Sequence, residues 1–113
     1  MTVMRTTGDP GRSQIVEANG IIQLIGASAD KTLDMKGQTE RALARIDDLL
    51  TSIGSLKSKI MSIVVYIDDM SKWQEMHDAW MAWVDPSNCP ARICVEVRTQ
   101  DSARVVMFVT AAR

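Results

Sequence analysis

Two kinds of hydrophobic pattern divide this chain. Alternation with period two marks strands, and recurrence every three or four residues marks helices. Gln14 to Ala18 and Ile21 to Ile25 flank Asn19-Gly20. That dipeptide predicts a tight β-hairpin, because both central residues of a type I′ turn need φ > 0. Upstream, Gly8-Asp9-Pro10-Gly11 reads as a turn, and Thr2 to Thr6 before it as a short edge strand. Gly26 to Leu33 is a connector. Asp34 is placed to cap a helix in which Leu43, Ile46, Leu50 and Ile53 share one face and Gly54 is the stop. Ile60 to Ile67 predicts a strand. Ser71 and Gln74 fit a capping box for a second helix, whose apolar stripe is Trp73, Met76, Trp80, Trp83 and Val84. Asp85-Pro86 ends it, since the residue before proline is driven out of the helical region. Ala91 to Arg98 and Arg104 to Ala111 close the chain as strands, joined by polar residues 99–103.

Two amphipathic helices need a sheet to cover, and helical crossovers favour parallel, right-handed connections between strands. The order therefore predicts an α+β sandwich, with one mixed β-sheet and both helices packed on one face. At 113 residues this is a single domain, residues 1–113. Its core is modest, so self-association would add stability.

Composition narrows the function classes. The net charge of −1 gives no electrostatic footprint for nucleic acid or an anionic membrane. Apolar runs such as Ile63-Val64-Val65-Tyr66-Ile67 are too short to span a bilayer. With no apolar leader in the first residues and two cysteines, the expected location is the reducing cytoplasm. His77 is the one histidine, and no Cys-x-x-Cys spacing accompanies it, so no metal site is expected. It reads as partly exposed on the second helix. Ser13 and Ser28 have no histidine partner in the pattern, and no glycine-rich phosphate loop is present. No cofactor is expected.

The candidate chemistry lies in Cys89-Pro90-Ala91-Arg92-Ile93-Cys94-Val95-Glu96. On a strand, Arg92, Cys94 and Glu96 share one face, and Ile93, Val95 and Val97 share the other. The planar fork of an arginine grips a carboxylate through two parallel hydrogen bonds. Cys94 reads as a small half-buried residue, and Cys89 as a loop thiol.

Pro90-Ala91-Arg92-x-Cys94-Val95-Glu96 also resembles the C-terminal signature of the RidA/YjgF family, whose members also go under the names endoribonuclease L-PSP and translation inhibitor. Gln38-Thr39, Ile46-Asp47-x-Leu49-Leu50, Gly54-Ser55-x-Lys57-Ser58-x-Ile60, Asp69-Met70, Met76-x-x-Ala79-Trp80-x-x-Trp83-Val84 and Val109-Thr110-Ala111-Ala112 follow in family order. The resemblance implies a chorismate-mutase-like fold, a homotrimer and pockets between subunits. It implies hydrolysis of 2-imino acids to 2-keto acids and ammonia. Arg92 would hold the substrate carboxylate, with the backbone around Cys94 lining the pocket. Arg12 stands where many members carry tyrosine; it reads either as a solvated loop arginine or as a second cation at the pocket mouth, which would favour a dicarboxylate or bulkier acid.

Two positions depart from the family pattern. The glutamate that activates water in active members falls at Val106, or at Met107 with a slip of one residue, and neither is acidic. A positioned general base contributes about 10²–10⁴-fold, so hydrolysis is expected to be weak. Glu96 is the remaining acid on the motif strand, and reads either as a substitute for the missing glutamate or, the favoured reading, as a structural or interface residue. Ala27 stands where glutamine is frequent. Two readings stay open: an imine deaminase with weak or divergent activity, and a non-catalytic trimer that binds small carboxylates of the keto-acid type. Ribonuclease action is disfavoured by the charge balance and the lack of a basic, aromatic face.

Overall fold

A computed structural model describes every residue from Met1 to Arg113. The elements are β1 (Met4–Thr7), β2 (Ser13–Ala18), β3 (Ile21–Ala27), α1 (Met35–Ser52), β4 (Ile60–Ile67), α2 (Trp73–Trp83), β5 (Ala91–Glu96) and β6 (Val105–Ala112). The strands form one sheet in the order β1-β2-β3-β6-β4-β5. It is mixed: β4 and β5 are parallel and linked through α2, and the other neighbouring pairs are antiparallel. Both helices lie on one face. This is the α+β sandwich of chorismate-mutase type that the pattern and the resemblance predict.

The hairpin turns as its dipeptide requires, with φ of 53° at Asn19 and 77° at Gly20. α1 begins where expected, and the Asp34 carboxylate accepts from the Gly37 N–H at 2.8 Å. It buries Leu43, Ile46 and Leu50 completely or nearly so against Ile22, Leu24, Met107 and Val109. Each such aliphatic side chain contributes about 1.5–3 kcal/mol through burial. Helix and sheet are in close contact at Gly26, where a Cβ would stand 2.5 Å from Ile46 Cγ1 and 2.9 Å from the Ala42 carbonyl.

Gln38 and Thr39 gain a structural meaning here. Gln38 is fully buried, and its amide donates to the carbonyls of Lys31 and Leu33 while its oxygen accepts from the Arg104 N–H. One side chain thus ties the connector before α1 to the start of β6.

The start of α2 differs from the capping box expected at Ser71. A 3₁₀ turn over Met70–Lys72 precedes the helix, and Asp69 caps that turn by accepting from the N–H and hydroxyl of Ser71. Gln74 instead donates to Asp78. Aspartate outcompetes serine because its carboxylate accepts both bonds at once. β5 also stops at Glu96, two residues short of the expected Arg98.

The sheet's second face has no helix over it. Ile21, Ile25, Phe108 and Ile93 project there, and Ile93 is 57% exposed. No helix is long and apolar enough to cross a membrane.

Candidate functional site

Register assigns the motif residues to faces. Arg92, Cys94 and Glu96 sit beside Ile63, Val65 and Ile67 of β4, all three of which are buried under the helices. The polar residues of β5 therefore point to the helix layer, at the sheet's edge, and Ile93 and Val95 point to the uncovered face. The alternation read from the sequence is correct, and the edge position explains how an arginine can face the core side without being sealed in.

Arg92 is half-buried against α2. Its guanidinium carbon lies 5.0 Å from the Trp80 ring centroid and 5.7 Å from that of Trp73, within cation–π range. One terminal nitrogen is 3.1 Å from His77 Nδ1. His77 is itself stacked on Trp73, with centroids 4.5 Å apart and planes inclined by 13°. Arg92 forms no ion pair; those in the chain link Arg12–Asp9, Lys72–Glu75, Arg104–Asp68 and Arg113–Glu17. The result is a permanent cation, oriented by aromatic rings, with no carboxylate answering it.

Sequence reasoning left His77 without a role. The signal that could have found it is helical spacing: Trp73, His77 and Trp80 fall on one face of α2 at steps of four and three. What the spacing does not reveal is that β5 brings Arg92 alongside.

Cys94 follows Arg92 on the same face, partly buried against the core. Burial pushes its thiol up from the usual range, and the nearby Arg92 charge offsets this only in part. It is a protonated thiol at neutral pH, not an activated nucleophile. Cys89 is exposed in the loop before β5. Glu96 accepts from the Met70 N–H at 2.6 Å and so supports the 3₁₀ turn before α2. That bond gives it a structural role.

The other positions gather elsewhere. Val106 pairs with Ala27 of β3 and Tyr66 of β4, and all three line a cleft of about 550 Å³ together with Arg12. Arg12 is exposed and held by Asp9 at 2.6 Å. Met107, the alternative position for the glutamate, is fully buried under α1 and faces no cleft. Of the two alignments, only Val106 stands at an accessible surface. Arg92 is not part of this cleft, so one chain does not bring the two arginines together. Ser28 is buried and donates to the Asp30 carbonyl, a loop contact. No cluster of three or more His, Cys, Asp or Glu side chains is arranged to hold a metal.

Fold and site together define a class: small α+β domains with one face of the sheet uncovered and an edge strand that opens on Ala-Arg-x-Cys just after a proline. The family model for endoribonuclease L-PSP matches residues 11–112. A RutC family protein of Haemophilus ducreyi is 34% identical over 102 residues, covering 88% of this chain and 87% of that protein. The RutC family protein YoaB of Escherichia coli K12 is 31% identical over 96 residues, covering 85% and 84%. A crystal structure of a YjgF family member from Neisseria meningitidis superposes with a TM-score of 0.94 at 35% identity, covering 100% of this chain and 96% of that one. The chain belongs to the endoribonuclease L-PSP family, the group that takes in the RutC, YjgF and RidA proteins.

Proposed function

We propose that this protein binds small 2-imino and 2-keto acids by their carboxylate at Arg92, in a homotrimer, and hydrolyses the imines weakly. The observation that carries the reading is the Arg92 guanidinium, half-buried, braced by Trp73 and Trp80, and without an acidic partner. A carboxylate placed there gains charge-assisted hydrogen bonds worth about 1.5–3 kcal/mol. An imine is electrophilic without a cofactor. Water adds to the C=N carbon, a proton passes to nitrogen, and the carbinolamine expels ammonia to leave the ketone. The uncovered sheet face, with Ile21, Ile25, Ile93 and Phe108 exposed, supports association of copies through that face. Association is also the route by which Arg92 of one copy and the Arg12–Val106 cleft of another can line a single site.

Val106 favours a second reading, a trimer that binds carboxylates without catalysis. An aliphatic side chain in the cleft supplies no base for the attacking water. The experiment is hydrolysis of 2-iminobutanoate, generated in situ by an amino-acid oxidase, with wild type, Arg92→Ala and Val106→Glu compared. Slow turnover in wild type, lost in Arg92→Ala and raised about 10²-fold or more in Val106→Glu, is the expected result. If Val106→Glu keeps the assembly and ligand binding but gains nothing, the deaminase reading fails and the binding reading stands.

A further inference from the structure

The contact between Arg92 and His77 has a chemical direction. A guanidinium has only donors, so at 3.1 Å the His77 Nδ1 must be the acceptor. That fixes the neutral imidazole as the Nε2–H tautomer. It also means that a doubly protonated ring cannot make the contact, because both its nitrogens are donors and its charge repels the arginine.

We infer that His77 is a positioning residue for the anion grip: its neutral ring holds the Arg92 guanidinium across Trp73 and Trp80, and its protonation releases it. This rests on the reading of Arg92 as the carboxylate-binding cation.

The surroundings of the ring support a switch of this sign. On β5, Arg92 is the charged group that meets it, and Cys94, next on that face, keeps its proton. On α2, Glu75 accepts from the Lys36 N–H and pairs with Lys72, and Asp78 accepts from Gln74. On α1, which packs against α2, Asp47 is taken by the Trp83 indole N–H. Glu96, on the same face of β5 as Arg92, accepts from the Met70 N–H; these carboxylates thus have other partners, and the hydrogen bond of the ring is to Arg92 and not to a counter-ion for a charged His77. The one face of the ring with a defined partner is stacked on Trp73, an arrangement that suits either charge state. Acidification therefore acts at the Arg92 contact.

When the competent arrangement is only fractionally populated, the apparent dissociation constant rises by the inverse of that fraction. If a charged His77 leaves Arg92 in place in about a tenth of molecules, affinity falls roughly tenfold.

The test has two arms on the full chain. Calorimetric titration with 2-oxobutanoate between about pH 5.5 and 8.5 compares wild type, His77→Asn and His77→Phe. Asparagine offers an acceptor that does not titrate, and phenylalanine retains the stacking without an acceptor. Wild-type affinity should fall roughly tenfold on acidification, His77→Asn should bind with little pH dependence, and His77→Phe should be weak throughout. In the second arm, ¹⁵N-histidine NMR reads the tautomer without any ligand, unambiguously because the chain holds one histidine. Wild type at pH near 8 should show unprotonated Nδ1 and protonated Nε2, and Arg92→Ala should lose that preference. Affinity that rises on acidification, or a His77→Asn variant that keeps the wild-type pH profile, overturns the proposal. So does an Nδ1–H ring. Absence of binding at every pH, with the tautomer as expected, overturns the carboxylate reading beneath it, not the Arg92–His77 contact.

Discussion

Cys94 and Cys89 are five positions apart and chemically unlike. Cys94 is partly buried and its thiol is pushed up by desolvation, whereas Cys89 stands exposed in a loop. The reactive species is the thiolate, so near neutral pH iodoacetamide should alkylate Cys89 first and Cys94 far more slowly. Mass spectrometry of a time course checks this, and equal rates would show that Cys94 is more open or more acidic than its packing allows. The candidate site was partly legible at this scale. Arg92 stood out because a charged residue alternates with aliphatic ones on a strand, and a strand's faces follow from counting. His77 did not stand out, because its meaning depends on a partner fifteen residues away on another element. Arg12 lines the Val106 cleft while Arg92 stands at the β5 edge, and pattern alone, which assigns a residue to a face, says nothing of such distances between loops and edges.

The elements were the most legible level. Asn19-Gly20 set the hairpin, and Asp34 and Gly54 bounded α1, because caps and turns depend on a few adjacent residues. The entry to α2 was harder. Asp69 and Ser71 are both good capping residues two positions apart, and the intervening 3₁₀ turn decides between them. Strand neighbours were not legible either: alternation cannot show that β6, last in the chain, inserts between β3 and β4. The join of α1 to β3 carries a sharp expectation. Gly26→Ala places a methyl against Ile46 and the Ala42 carbonyl, and the carbonyl belongs to the helix backbone, which cannot rotate away. Overpacking of this kind costs about 1–3 kcal/mol, so the urea midpoint should fall with the slope of the transition unchanged. An unchanged midpoint would mean that α1 slides on the sheet at little cost.

At the scale of the molecule, the uncovered sheet face is the feature that one chain leaves unresolved. Ile93 is exposed there while its neighbours on either side, Arg92 and Cys94, face the helices. If copies associate through this face, Ile93→Glu should bring a charge into an apolar contact and lower the mass measured by light scattering to that of one chain, with far-UV circular dichroism retained. Assembly that survives the charge would move the interface elsewhere. The arrangement around Arg92 also decides how the whole protein interacts with light. All three tryptophans of the chain, Trp73, Trp80 and Trp83, belong to the single helix α2. Two of them lie in contact with the Arg92 guanidinium, and the third is bonded to Asp47 of α1. Emission excited at the indole band therefore originates from this corner alone, and the hairpin and β6 contribute none of it. The unlabelled protein carries its own fluorophores at the cationic edge, so a change in emission reports on that edge before it reports on the fold.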